Sequence, residues 1–151
     1  MAESVLSLKD VAVYQKENMV LNDISLEVKH GEFVYLIGKT GSGKSSFMKT
    51  LYADLPFREG QGHIVGFDLK TLPEKEIPNL RRKLGIVFQD FKLLPDRNIQ
   101  NNLLFVLKAT GWKDPSKMSQ RIEDVLEMVG MKTKGFKFPH ELSGGELEGF
   151  A

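Results

Sequence analysis

The sequence predicts an α/β fold in which a β-rich N-terminal part leads into an α/β core and then into a mainly helical segment. Stretches 5–14 and 20–28 are rich in β-forming residues with recurring apolar positions. The apolar run 33–37 then enters a glycine-rich segment that is followed by a helical pattern. Beyond residue 88 the pattern favours helices.

The predicted strands lie in the first 88 residues. The turn at 29–32 leads from the second strand into a run without polar residues, which is typical of a buried strand. Gly66 separates two short apolar stretches and predicts a small hairpin. The strands predicted in this way are 5–14, 20–28, 33–37, 63–65, 67–69 and 84–88.

The predicted helices are marked by apolar spacing and by end signals. The helix at 44–51 carries Phe47 and Leu51 four residues apart. For the last helix, Asp114 is the expected N-cap, Pro115 occupies the first helical position and Gly130 ends it. The predicted helices are 44–51, 73–80, 99–110 (ending at Gly111) and 115–129.

The segment from Gly38 to Ser45 fits the pattern G-x-x-x-x-G-K-[ST] and lies between a predicted strand and a predicted helix, which is the context the motif requires. Glycines allow the backbone to turn sharply and to approach an anion, and the free N–H groups of a helix start bind phosphate. Lys44 would add positive charge at the β- and γ-phosphates, and the Ser45 hydroxyl would bind Mg²⁺. A plain glycine turn is the alternative. The candidate nucleotide-binding residues are Gly38, Lys39, Thr40, Gly41, Ser42, Gly43, Lys44, Ser45 and Ser46.

Composition limits the other possible functions. A chain of 151 residues suits one domain, and its net charge of +1 gives no electrostatic indication of nucleic-acid binding. Without cysteine it has neither disulfides nor thiolate metal sites, and its histidines form no zinc-protease motif. No secretory signal or bilayer-spanning run is recognisable. The expectation is a soluble, intracellular chain that reaches a membrane only through a partner.

Four motifs occur in an order that resembles the ATP-binding subunits of ABC-type ATPases. They are Tyr14 in the first strand, the segment 38–45, Gln89 after the strand at 84–88, and Leu-Ser-Gly-Gly-Glu at 142–146. The stretch 88–96 is similar to a group of the family that acts in bacterial cell division, and the lipoprotein-release and small-molecule export ATPases are the alternatives. The resemblance implies a P-loop NTPase core with an N-terminal antiparallel β subdomain and a helical subdomain.

The resemblance also implies roles for single residues. Tyr14 would stack on adenine, although a strand aromatic packed in the core is the alternative. Gln89 would bind Mg²⁺ and the attacking water, so that Ser45 and Gln89 are the expected metal ligands. The signature residues Ser143, Gly144 and Gly145 would contact the γ-phosphate held by a second copy of the chain.

The implied cofactors are ATP and Mg²⁺, and the implied partners are proteins, with no nucleic acid among them. Two copies would sandwich two ATP molecules in a head-to-tail homodimer. Residues 91–98 would meet an integral membrane subunit, which would hold the protein at the inner face of the bacterial membrane.

The sequence departs from the family after its signature. The expectation is one incomplete ATP-binding domain over 1–151, with a β subdomain and phosphate-loop core at 1–90, a helical subdomain with the signature at 91–146, and a non-matching tail at 147–151. The apolar strand ending in Asp-Glu that the family uses for hydrolysis is not found, and Asp68 and Asp90 are poor substitutes for its acids.

Three expectations follow from this departure. The chain should hydrolyse ATP poorly, since the acid that positions water is missing. It should expose an apolar edge, and the stub after Gly145 should be too short for a stable helix of its own. A non-hydrolysing nucleotide-binding module and an unrelated P-loop kinase or GTPase remain as other functions.

Overall fold

The computed structural model describes residues 4–150, which form two compact units, one ending at Gly85 and the other beginning at Ile86. The N-terminal stretch 1–3 and Ala151, which belong to the predicted first subdomain and tail, lie outside the described residues. The first unit contains β1 (Ser4–Gln15), β2 (Asn18–Lys29), α1 (Lys44–Leu51), β3 (Glu59–Ile64), β4 (Phe67–Asp68), a 3₁₀ turn (Glu74–Glu76) and α2 (Ile77–Arg82). The second contains α3 (Ile99–Ala109), α4 (Pro115–Met128), a 3₁₀ turn (Pro139–Glu141) and α5 (Gly144–Phe150).

The first unit is built on a four-stranded antiparallel sheet with the order β2-β1-β3-β4. The predicted hairpin about Gly66 is formed, and the two long N-terminal strands are each a few residues longer than predicted. Apolar side chains of β1 pack with α1 and α2 in one core, as expected for a sheet with one buried face. The buried members are Leu6, Leu8, Val11, Val13, Phe47, Leu51, Ile64, Leu69 and Leu80.

A bulge between β1 and β3 depends on Gly60. The pairing register shifts between Lys9 and Ala12, and Gly60 opposite them has a φ of +89°. A Cβ at Gly60 would lie 2.5 Å from the carbonyl oxygen of Asp10, so no other residue fits without moving the backbone.

The predicted strands 33–37 and 84–88 are wrong, since neither segment is a strand in the structure. A strand needs a neighbour for its backbone hydrogen bonds, and within residues 4–150 neither segment has one. The side chains of 33–37 are exposed instead of buried, with 81% of Phe33 and 88% of Ile37 accessible. In 84–88 Val87 is exposed, whereas Leu84 is partly buried against the core of the first unit. The expected exposed apolar surface is therefore present at 33–37.

The second unit packs its helices around a core of its own. Ile99, Ile122, Leu126, Met131 and Leu142 are buried there. The predicted ends of α4 agree with the structure to within one residue, because Asp114 accepts hydrogen bonds from the backbone N–H groups of Ser116 and Lys117.

The stub after Gly145, which was expected to be too short for a stable helix of its own, is helical in the structure. Helix α5 spans Gly144–Phe150, and its Leu147 and Phe150 pack against the core of the second unit. Tertiary packing therefore stabilises a helix whose length alone would not.

Among residues 4–150, no helix is both long and apolar enough to cross a bilayer. Over the same residues, no group of three or more His, Asp or Glu side chains is arranged to hold a metal ion.

Candidate nucleotide-binding site

The loop before α1 has the backbone shape that its glycines permit. Gly41 and Gly43 have φ angles of +79° and +90°, in the region that favours glycine. A backbone bond from the Ser42 N–H to the carbonyl of Lys39 (3.1 Å) closes the turn. Gly43 is the N-cap of α1, and no side chain caps the helix start. The N–H groups of the first turn are therefore not used by a side-chain cap.

Lys44 lies against its own loop. Its Nζ donates to the carbonyl oxygens of Gly38 (2.7 Å) and Lys39 (2.8 Å) and to Ser42 Oγ (3.3 Å). The ammonium is thus held mainly by main-chain oxygens of the loop. A phosphate oxygen entering the loop would meet this positive charge once Nζ gives up its carbonyl contacts.

The β1–β2 hairpin packs directly on the loop and on the start of α1. A Cβ at Gly43 would lie 3.0 to 3.3 Å from the side-chain carbons of Leu21, so that only glycine fits this contact without displacement. On the other strand, Gln15 Nε2 donates to Ser46 Oγ at 2.9 Å. The hairpin therefore fixes the position of the loop from two strands.

Ser45 and Ser46 lie in different environments. Ser45 is exposed at the first turn of α1, where its hydroxyl is accessible to a ligand. Ser46 is buried, its hydroxyl accepts from Gln15 and its carbonyl accepts from the Thr50 hydroxyl (2.9 Å). The structure therefore places Ser46, which was predicted as a binding residue, in contact with the hairpin.

Tyr14, next to Gln15 at the end of β1, contacts Arg58, which precedes β3, and Glu59, the first residue of β3. Its hydroxyl donates to the Glu59 carboxylate, and the Arg58 guanidinium lies 5.2 Å from the ring centroid. The hydrogen bond to Glu59 raises the pKa of Tyr14 above its usual value. The side chain is partly buried but does not belong to the core.

Gln89 belongs to the second unit and is exposed in a turn. The turn continues with Phe91 and Lys92, whose φ angles are +55° and +51°. Asp90 pairs with Lys92 at 2.8 Å, and this contact lowers the pKa of the Asp90 carboxyl. Asp90 is thus engaged by a neighbouring lysine.

The segment after this turn is fixed by one buried amide. Asn102, on α3, accepts from the Leu94 N–H (2.8 Å), and its Nδ2 lies 3.1 Å from each of the carbonyl oxygens of Leu94, Arg97 and Asn98. Sequence reasoning missed this role, because an asparagine at the start of a helix gives no indication of which distant groups it bonds.

The signature segment starts α5. The N–H and hydroxyl of Ser143 donate to Glu146 (2.8 and 2.9 Å), and Lys134 pairs with the same carboxylate. These contacts, that of Lys134 foremost, lower the pKa of Glu146 to about 2. Gly144 and Gly145 are exposed, with no atom near the position of a Cβ.

The structure has Tyr14 and the loop 38–45 in the first unit, and Gln89 and the signature in the second. Gln15, Leu21, Arg58 and Glu59 were not predicted from sequence. They contact the loop or Tyr14 from positions distant along the chain, and no local pattern marks such contacts.

The ABC transporter family matches residues 21–150. The chain is 37% identical over 149 residues to the cell division ATP-binding protein FtsE of Streptococcus pneumoniae, covering 98% of this chain and 64% of that protein. It is 44% identical over 145 residues to FtsE of Bacillus subtilis, covering 95% and 63%. It is also 36% identical over 128 residues to the methionine import ATP-binding protein MetN 2 of Salmonella choleraesuis, covering 85% and 38%.

Solved ABC cassettes share the fold. The dimeric structure of MJ0796, a bacterial ABC transporter cassette, superposes with a TM-score of 0.81 at 29% identity, covering 96% of this chain and 66% of that one. A dimeric post-hydrolysis state of MJ0796 bound to ADP and phosphate gives a TM-score of 0.79 at the same identity and coverage. The chain spans less than two thirds of the length of the FtsE relatives.

These matches exclude an unrelated P-loop kinase or GTPase, and they confirm both the predicted fold class and the resemblance to FtsE. The match over residues 21–150 and the relatives above 30% identity assign the chain to the ABC transporter family of ATP-binding proteins.

Proposed function

We propose that this chain binds Mg²⁺–ATP in the loop from Gly38 to Ser45 and serves as the nucleotide-binding part of an FtsE-like subunit. The observation that carries the proposal is the loop geometry, in which Lys44 is held by the carbonyls of Gly38 and Lys39 beside an uncapped helix start. The FtsE relatives support the choice of subfamily. The alternative function is that of an ATP-binding subunit of a lipoprotein-release or small-molecule export transporter from the same family.

In this mechanism the triphosphate binds to main-chain N–H groups of the loop and of the first turn of α1, with Lys44 at its terminal phosphates. Binding requires Lys44 to exchange its carbonyl contacts for phosphate oxygens. The exposed Ser45 hydroxyl suits Mg²⁺, because this ion prefers oxygen ligands. Gln89 is the second ligand that the family resemblance implies. Bound Mg²⁺ neutralises phosphate charge, and Tyr14 offers a ring for the base.

The second part of the proposal is a homodimer completed by the signature. Ser143, Gly144 and Gly145 are exposed, and in the proposed dimer they contact ATP held by the other copy. The two MJ0796 structures are dimeric, which supports this arrangement. The 151 residues contain no apolar strand ending in Asp-Glu, so we infer that this polypeptide alone binds ATP without rapid hydrolysis.

The third part is a membrane partner of the FtsX type, through which the subunit would act in cell division at the inner face of the membrane. Residues 91–98 are the proposed contact with this partner. Co-purification of the full-length gene product with an FtsX-type protein tests the assignment. Retention by a methionine-import or lipoprotein-release membrane subunit in its place would contradict it.

Nucleotide binding is tested by calorimetric titration of the chain with ATP and Mg²⁺. Lys44→Ala should weaken binding about 10- to 100-fold, because a charged hydrogen-bond donor to phosphate is lost. Lys49→Ala is the matched control, since Lys49 lies on the same helix and pairs with Asp54 at 3.5 Å. Equal affinities of wild type and Lys44→Ala would contradict the proposal.

A further inference from the structure

Tyr14 is held from two sides by adjacent residues. The Arg58 guanidinium lies 5.2 Å from the centroid of its ring, a distance at which a cation is attracted to an aromatic face. The next residue, Glu59, accepts the Tyr14 hydroxyl hydrogen bond. The register explains the arrangement, because Glu59 pairs with Ala12 across β1 and β3, and diagonal neighbours are within reach of an aromatic side chain.

Arg58 is itself held in place. Its two terminal nitrogens donate to the two carboxylate oxygens of Glu17, each at 3.1 Å, in a bidentate pair. Glu17 lies in the turn between β1 and β2, so this pair ties the hairpin to the start of β3. A planar guanidinium fixed in this way keeps its orientation over the ring.

The same hairpin contacts the phosphate loop. Gln15, which follows Tyr14, bonds to Ser46, and Leu21 packs on Gly43. The position of the Tyr14 ring relative to the loop is therefore set by the hairpin, and its orientation is set by Arg58 and Glu59.

We propose that Arg58 is a positioning residue for the nucleotide base. Arg58 lies over one face of the Tyr14 ring, so in this proposal the base stacks on the other face of a ring that is already ordered. This inference rests on the proposed nucleotide-binding function. Since ordering one side chain on binding costs free energy, removing the clamp should weaken base binding about three- to tenfold while leaving phosphate binding unchanged.

The test compares two ligands, ATP and inorganic tripolyphosphate, each titrated with Mg²⁺ into the whole chain by calorimetry. Arg58→Ala should bind ATP about three- to tenfold more weakly than wild type and tripolyphosphate equally well. Arg58→Lys keeps a positive charge but loses the bidentate pair with Glu17, so its ATP affinity should lie between those of wild type and Arg58→Ala. Arg81→Ala is the matched control, because Arg81 lies 5.9 Å from the ring of Tyr52 in a similar contact.

A double-variant cycle separates positioning from a general loss of structure. In a Tyr14→Ala background, Arg58→Ala should leave ATP affinity unchanged, because no ring remains to be ordered. A residue with only a structural role would weaken ATP binding in both backgrounds. Thermal melting of each variant checks that the fold is retained.

A spectroscopic readout tests the clamp without nucleotide. The hydrogen bond to Glu59 raises the pKa of Tyr14, so Glu59→Gln should shift the ionisation of one tyrosine to lower pH in an ultraviolet absorbance titration. Tyr14→Phe identifies which tyrosine this is. If Glu59→Gln leaves the ionisation of Tyr14 unshifted, the hold of Glu59 on the Tyr14 ring is refuted.

The outcomes distinguish this inference from the proposed function. If wild type binds neither ATP nor tripolyphosphate, the nucleotide-binding function fails and the inference with it. If wild type binds both ligands but Arg58→Ala leaves ATP affinity unchanged, the inference alone fails. Equal weakening of ATP and tripolyphosphate by Arg58→Ala would also overturn it, because Arg58 would then act on phosphate.

Discussion

Replacing Gly43 by alanine tests whether the loop conformation itself makes the site. At φ +90° an L-residue is strained by about 1–2 kcal/mol. The new Cβ would also lie 3.0 to 3.3 Å from the Leu21 side chain, and overpacking of this kind costs about 1–3 kcal/mol. Because the Leu21 side chain can shift by a few tenths of an ångström, we take the lower part of that range and expect about 2–4 kcal/mol in total.

The loop must keep its shape to direct its N–H groups at phosphate, so this cost should appear in binding. Gly43→Ala should weaken Mg²⁺–ATP binding roughly 30-fold or more, measured by calorimetric titration. Gly41→Ala is the matched control, since Gly41 has a similar φ of +79° but open space around a Cβ. It should lose only about 5- to 30-fold, from strain alone.

The contribution of crowding is isolated by adding Leu21→Ala. Truncating Leu21 removes the three carbons that the new methyl group would meet, so the double variant should bind ATP more tightly than additivity of the two single changes requires. Equal losses in Gly43→Ala and Gly41→Ala would refute the crowding argument. Wild-type affinity in Gly43→Ala would refute the argument from conformation as well.

Three further predictions concern the fold around the site. Gly60→Ala should lower the free energy of unfolding in urea by more than about 3 kcal/mol, because its Cβ would lie 2.5 Å from a backbone oxygen. Gly66→Ala, at φ +87° in open space, should cost only about 1–2 kcal/mol. Similar urea midpoints for the two variants would count against the need for glycine at the bulge. Asn102→Ala should speed amide hydrogen exchange at Leu94 at least about tenfold, since that N–H loses its acceptor. Unchanged exchange would contradict the role of Asn102 in fixing this segment. The pKa of Glu146 is lowered from 4.5 to about 2, so its ionised form stabilises the fold above pH 4.5 and that stability is lost as pH falls toward 2. Glu146→Gln should make the melting temperature less dependent on pH over this range. An unaltered pH dependence of the melting temperature would contradict the stabilising role of the ionised Glu146.

The parts of the fold that follow local rules were predictable. Asp114, Pro115 and Gly130 give α4 its ends, because capping and φ preferences act within a few residues. The start of α1 at Lys44 follows from the loop pattern in the same way. Tyr14, Gln89 and the signature at 142–146 were identified from short motifs in the right order, while their roles stay predictions.

The two incorrect strand predictions show what local patterns omit. The apolar runs 33–37 and 84–88 have the composition of buried strands, but a strand exists only when another strand supplies its hydrogen bonds. Helix α5 was expected to be unstable on its own, and in the structure Leu147 and Phe150 pack against the core of the second unit. Both outcomes depend on contacts between distant residues, which composition does not reveal.

The sequence by itself revealed the glycine-rich loop pattern, the signature motif and most helix ends, because each of these depends on residues that are neighbours along the chain. It also indicated the family, because these short motifs follow one another in a characteristic order. Only the tertiary structure decided that Gln15 holds Ser46 and that Arg58 and Glu59 hold Tyr14. Gln15 and Ser46 are 31 positions apart along the chain, and Tyr14 and Glu59 are 45 positions apart. Side-chain pairing across a folded sheet is set by strand register, and register exists only after the chain has folded.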